Sequence, residues 1–356
     1  MSRSQSANGF QLENRGATIF KFHISNHLRG TGLSCAQLAP IGPMRSSQPP
    51  LTSALSALFA IVITALLFQP VRAQAPVFRV VLLGTGSPAP ALDRLGPSIL
   101  VEAGAEKLVF DVGRSVFVRL DQLGIAFRDL SGILFTHLHS DHVSGLPDLW
   151  LTGRFAGRPP ERNLDVWGPS GTTSMVANLA LAYQFDLTAR QHLPPTQGAL
   201  VAHDISEGPV FSRNGVAVSA ITVDHGNVAP AFGYRIDYRG RSVVLSGDTR
   251  FSPHLIEKSV GVDLLVHEVA AVASSASTTD TTRIMSLHLS PEEAGTVFSK
   301  VKPKLAVYSH IVTFGVSDDE LVSRTRKTYA GPLVVGADLM SFTIADVVTV
   351  TPFTPK

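Results

Sequence analysis

A chain of 356 residues that is 44% hydrophobic and only 16% charged can bury a large core, which excludes a disordered or fibrous protein. Its net charge of +2 is unevenly placed: residues 1–75 hold six Lys/Arg and one acid, leaving 24 bases against 27 acids in the rest. That acidic body shows no basic run of the kind that tracks phosphates, so nucleic acid is not the expected partner.

Residues 1–43 read as an upstream extension, disordered or outside the native protein. Residues 44–75 have the layout of a signal peptide: Met44 and Arg45, an apolar run from Ala54 to Phe68, then the small-residue site Ala73-Gln74-Ala75. The run is shorter than the roughly 20 residues that span a bilayer. Cleavage after Ala75 would make the protein periplasmic or secreted, with no stable membrane partner; left uncleaved, the run would anchor it. The only cysteine, Cys35, precedes the leader, so the body has no disulfide and relies on its core.

Residues 76–356 read as one α/β domain in which short apolar strands alternate with helical patterns. Strands are expected at Phe78–Leu83, Ser98–Glu102, Lys107–Asp111, Gly132–Thr136 and Leu164–Trp167, with helices at Ser115–Leu123 and Thr172–Tyr183. The second half repeats the theme, with strands at Val216–Thr222, Ala231–Tyr238, Arg241–Leu245, Asp263–Val266, Lys304–Ser309 and Met340–Val350. Ser290-Pro291-Glu292-Glu293 is a capping box with proline at the first helical position, which predicts a helix over Pro291–Val301; another is expected over Asp318–Lys327. Two β-rich halves with helices outside them predict a four-layer αββα sandwich.

The richest segment is His137-Leu138-His139-Ser140-Asp141-His142, directly after an apolar strand. Read as extended chain, it projects His137, His139 and Asp141 from one face, while His142 opens the next helix at a different angle. Imidazole and carboxylate without thiolate suit Zn²⁺ or a similar ion, and not an Fe–S or structural zinc site. A two-ion site needs about three more ligands. His225, Asp248 and His310 each follow a strand and are the candidates. His192, His203 and His254 belong to no motif and read as surface residues, and Gly84-Thr85-Gly86 as a tight turn.

HLHSDH, with LLGTGSP before it and DHGNVAPAFGYRI, SGDTR and SHI after it, resembles the metallo-β-lactamase superfamily over Val77–Val350, and within it the ribonuclease Z and arylsulfatase branch. The resemblance implies that His137, His139 and His225 bind one zinc, that Asp141, His142 and His310 bind a second, and that Asp248 bridges them. It implies Asp141 and His288 as catalytic, the latter as general acid or transition-state stabiliser. It further implies Asp111 as the anchor of the metal loop, and His267 and Glu268 as supports for the ligands or for His288. A homodimer is the family expectation.

Two Zn²⁺, two aspartates and a bridging hydroxide leave a local charge of about +1, which favours a small anionic ester. The chain lacks the long tRNA-gripping arm that the branch inserts between FGYR and SGDTR, since only Ile236–Leu245 lie there. The expectation is therefore an exported dizinc hydrolase that attacks a phosphodiester or aryl sulfate with hydroxide. The alternatives are a ribonuclease Z-type endoribonuclease acting at tRNA 3′ ends, a lactonase or β-lactamase, and a zinc-free binding protein on the same fold.

Overall fold

The computed structural model describes residues 77–153, 163–190 and 200–354. The extension, the leader and His192 lie outside the described residues. In chain order the elements are β1 (Phe78–Gly84), β2 (Ser98–Ala103), β3 (Glu106–Phe110), α1 (Val116–Gln122), β4 (Gly132–Leu134), α2 (Ser140–Val143), α3 (Leu146–Gly153), β5 (Leu164–Gly168), α4 (Thr172–Ala182), α5 (Gln184–Ala189), β6 (Leu200–Asp204), β7 (Gly208–Arg213) and β8 (Val216–His225). They continue as β9 (Val228–Tyr238), β10 (Arg241–Leu245), α6 (Pro253–Ser259), β11 (Leu264–Val272), α7 (Thr279–Met285), α8 (Pro291–Val301), β12 (Leu305–Phe314), α9 (Asp318–Thr325), β13 (Leu333–Val335), β14 (Ser341–Ile344) and β15 (Val348–Thr351).

The strands form an eight-stranded sheet, β15-β14-β1-β2-β3-β4-β5-β6, and a seven-stranded one, β13-β12-β11-β10-β9-β8-β7. Side-chain alternation explains why four layers result. In β1, Phe78, Val80 and Leu82 join Phe110, Tyr234, Ile236, Leu245 and Val307 between the sheets. Their neighbours Val81 and Leu83 pack outward with Val116, Leu120, Leu146 and Leu149 of the first helix layer. Val244, Leu265 and Ala306 likewise meet Leu255, Val297, Phe298 and Leu321 on the other side. A strand buried on both faces has to be apolar throughout, as FRVVLLG nearly is. The αββα expectation is met.

The capping box forms as its spacing requires: Ser290 Oγ accepts from the Glu293 N–H and Glu293 accepts from the Ser290 N–H. The expected closing strand Met340–Val350 is instead a hairpin, β14 and β15. Its tip, near Asp346, is held by Arg241 and by Lys304 Nζ on the Asp346 carbonyl. The alternating pattern runs straight through that tip, which is why it reads as one strand. Strands β6 and β7 escaped the sequence reading, although Asn214-Gly215, both at positive φ, is the turn signal between β7 and β8.

Candidate metal centre

The candidate ligands lie beyond β4, at the end of β8, beyond β10 and, for His310, inside β12 and not after it as the sequence suggests. Beyond β4 the chain remains extended to His139, and the helix then begins at Ser140. Asp141 and His142 are therefore helical, which corrects the extended reading that put Asp141 on the same face as His137 and His139. Contact is close here: a Cβ on Gly113, in the turn after β3, would lie 2.7 Å from the Asp141 carbonyl oxygen. His225 ends β8 and Asp248 follows β10 through Gly247, whose φ of +60° and closeness to the Phe232 carbonyl exclude a side chain. His310 lies in a bulge where Ser309 and His310 oppose Glu268, and its φ of +45° re-aims the ring.

The seven expected ligands converge, and His288 joins them. Donor atoms of His137, His139, His225 and Asp248 form one group, each within 4.8 Å of the others; Asp141, His142 and His310 form a second, and Asp248, His288 and His310 a third. Asp248 Oδ2 lies 3.4 Å from His142 Nε2, 3.3 Å from His310 Nε2, and 3.9 Å from both His137 Nε2 and His225 Nε2. It thus stands between the two sets. His139 Nδ1 lies 2.9 Å from His137 Nε2 and 3.4 Å from His225 Nε2. Tetrahedral zinc with bonds of about 2.0–2.1 Å places its ligand atoms about 3.3 Å apart, so the donors fit divalent ions. His142 Nε2 and Asp248 Oδ1 are buried with no hydrogen-bond partner, as atoms awaiting a cation would be.

The electrostatics agree. Burial holds His137 well below the usual imidazole range and also lowers His139 and His225, keeping their lone pairs available. Burial would lower His142 too, but the Asp248 and Asp111 carboxylates drive it well above 6.5, so positive charge is favoured at its position. Burial would raise Asp248, yet His310 and His142 hold it well below 3.8.

Supporting contacts complete the site. Asp111, at φ +57°, accepts from the Thr136 N–H, the Thr136 hydroxyl and His142 Nδ1. Glu268 Oε1 accepts from the Thr249 and Leu289 N–H groups, and its Oε2 lies 3.3 Å from His288 Nδ1. Burial would lower His288, but the Glu268 carboxylate carries it up to about 9. His267 bonds through Nδ1 to the Glu268 carbonyl and packs edge-on against Phe298. It buttresses the strand while the Glu268 carboxylate keeps His288 charged. Thr136 and the Leu287 carbonyl, which accepts from His225 Nδ1, were missed; neither residue type signals metal binding. His203 pairs with Asp165 and His254 with Glu207, both outside the cluster.

The beta-lactamase superfamily domain matches residues 99–311. The chain belongs to this superfamily. The ribonuclease Z of Mycobacterium avium is 36% identical over 271 residues, which cover 74% of this chain and 97% of the relative; that of Mycobacterium marinum is 34% identical over 276 residues with the same coverage. Among solved structures, the metallo-beta-lactamase fold protein YhfI of Bacillus subtilis aligns at TM-score 0.59 and 19% identity, covering 75% of this chain and 99% of that one. Human tRNase Z, short form, aligns at TM-score 0.54 and 22% identity, covering 74% and 98%. The chain is a metal-dependent hydrolase of ester bonds on the metallo-β-lactamase fold.

The expectation that nucleic acid is no partner is overturned by these relatives, which carry the name ribonuclease Z. Neither the missing arm nor the acidic charge of the body decides the matter. Strands β9 and β10 are joined by the plain turn Arg239-Gly240, but the Mycobacterium relatives align over 97% of their own length, so a missing arm does not set this chain apart from them. Net charge, meanwhile, says nothing about the few groups that meet a scissile phosphate.

Proposed function

We propose that the protein is a ribonuclease Z-type endoribonuclease that cleaves a phosphodiester of RNA at a two-ion centre. The observation that carries the reading is the resemblance to enzymes of that name over nearly their whole length, in a chain whose seven candidate ligands gather at one point. That likeness favours an RNA phosphodiester over a small phosphodiester or an aryl sulfate. His137, His139 and His225 would hold one divalent ion, Asp141, His142 and His310 another, with Asp248 shared. When bound, such ions supply Lewis acidity and lower the pKa of a water from about 15.7 toward 7.

The chain's own residues do the rest. Asp141, buried in the second group and lowered below the usual carboxylate range mainly by His310 against the pull of burial, orients the nucleophile as a proton acceptor. His288, protonated at neutral pH and stacked 5.6 Å from His310, donates its Nε2 proton to the departing ribose oxygen. The Glu268 carboxylate keeps that ring charged. His139 is the exposed member of the cluster, so the site opens to substrate on its side.

A 3′-extended tRNA precursor, bis-p-nitrophenyl phosphate and p-nitrophenyl sulfate, each incubated with the zinc-loaded protein, test the reading. Site-specific cleavage of the RNA, lost in Asp248→Ala, is expected; turnover of the sulfate alone would reject it. Residues 44–75 retain the layout of an export leader, so we further propose that the enzyme meets its substrate outside the cytoplasm, which cell fractionation checks.

A further inference from the structure

Resting on the two-ion reading, we propose that Thr136 is a positioning residue that ties His137 to the carboxylate already holding His142, so that Asp111 orients one ligand in each ion-binding group. The four side chains are buried together: His137 is 0% exposed, His142 1%, Thr136 3% and Asp111 6%. No bulk water can replace their contacts.

Proton counting fixes the direction of each bond. A carboxylate only accepts, and a threonine hydroxyl has one proton. Thr136 Oγ1, 2.9 Å from Asp111 Oδ2, donates that proton to it. His137 Nδ1, 3.0 Å from the same hydroxyl, must then be the donor in its own bond. The ring is thereby held as the Nδ1–H tautomer with Nε2 bare, and Nε2 is the atom facing His139 Nδ1 and Asp248 Oδ2. His142 is oriented directly, because its Nδ1 donates to Asp111 Oδ2 at 2.8 Å and turns Nε2 toward Asp141, Asp248 and His310.

Asp111 is itself fixed. Its N–H donates to the Leu134 carbonyl, its Oδ1 accepts from the Thr136 N–H at 2.8 Å, and its left-handed backbone aims the carboxylate across β4. His225 takes its tautomer from a backbone carbonyl instead, and His310 Nδ1 has no hydrogen-bond partner, so neither depends on this carboxylate. An asymmetry follows. Loss of the Thr136 hydroxyl should disturb the His137 group alone, whereas loss of the Asp111 charge should disturb both.

The test is zinc titration of the metal-free full chain against a chromophoric chelator, paired with Co²⁺ absorption spectra, on wild type, Thr136→Val, Thr136→Ser and Asp111→Asn. Thr136→Val should weaken one of two binding steps by about 10–100-fold, the usual effect of removing a ligand's hydrogen-bond partner, and change the spectrum of that site. Thr136→Ser should restore both steps, and Asp111→Asn should weaken both. Melting of the metal-free forms monitors folding.

Unchanged zinc affinity in Thr136→Val, with wild type taking up two ions, would overturn the relay alone. So would a Thr136→Ser protein no better than Thr136→Val, which would mark a packing role. Wild-type protein that takes up no divalent ion would overturn the metal-centre reading and the relay with it.

Discussion

Asp111 follows the last residue of β3 in one sheet, and Glu268 lies within β11 of the other; each buried carboxylate accepts two donors from nearby chain and faces one imidazole. They differ in how tightly the imidazole is held. Asp111 bonds His142 at 2.8 Å, whereas Glu268 Oε2 and His288 Nδ1, 3.3 Å apart, are misaligned and count as buried atoms without a hydrogen bond. We take the pair as an electrostatic contact, because the raised pKa of His288 needs only charge and closeness. A ligand ring gains from rigidity, since its lone pair has one correct direction. A ring that passes a proton to a leaving group gains from slack, because apo geometry tightens only when substrate arrives.

The largest expected effect comes from the residue both sets share. Asp248→Ala, or chelation of wild type, should reduce RNA cleavage to background and lower metal content, measured by elemental analysis of the purified protein. An active, metal-free Asp248→Ala would break the comparison at its root. Next comes His288→Ala. If Glu268 serves chemistry and Asp111 serves binding, this variant should lose about 10²–10⁴ in kcat while retaining its ions. Loss of zinc from His288→Ala would show that the Asp248, His288 and His310 grouping is a ligand set.

How much of this could be read from the chain alone follows from whether the chemistry was local. HLHSDH was legible because four donors lie within six residues, and His225, Asp248 and His310 because an apolar run precedes each in the sequence. The capping box at Ser290 and the αββα layering were likewise written in short-range pattern. What escaped depends on contacts distant in sequence. Thr136 is an ordinary strand-end residue until Asp111, 25 positions earlier, is beside it. Helical Asp141 escaped because Ser140 begins a helix of only four residues, too short to leave a periodic signal. Net charge and a missing insertion are properties of the whole chain, so they carry no information about the few groups at the site that decide what is cleaved.

The pH profile sharpens the contrast. His288 is raised to about 9, above the 6.5 of a free imidazole, so the acid is present at neutral pH and kcat should fall as pH rises through about 9. Glu268→Gln keeps the shape but removes the charge that lifts His288, so that descending limb should move toward neutral pH with metal content unchanged. A limb that stays near 9 in Glu268→Gln would assign the proton to another group.

The smallest effect is expected from a third carboxylate, which does neither job. Glu292 in α8 receives Arg324 of α9 through two hydrogen bonds, at 3.0 and 2.9 Å, and Lys327 at 3.2 Å. The Arg324 bonds, opposed by some burial, hold it down from 4.5 to about 2. Unscreened, that shift would correspond to about 3 kcal/mol. The side chain is 35% exposed, so solvent screening leaves ~1 kcal/mol or less. Because the folded value lies below the unfolded one, the stabilisation is complete above about pH 4.5 and is lost as pH falls through about 2. Urea unfolding of Glu292→Gln should therefore show a deficit of that size at pH 7 that closes on acidification, with zinc affinity and kcat as in wild type. A deficit that persists at pH 2 would mean that the two helices are joined there by packing, and that charge contributes little.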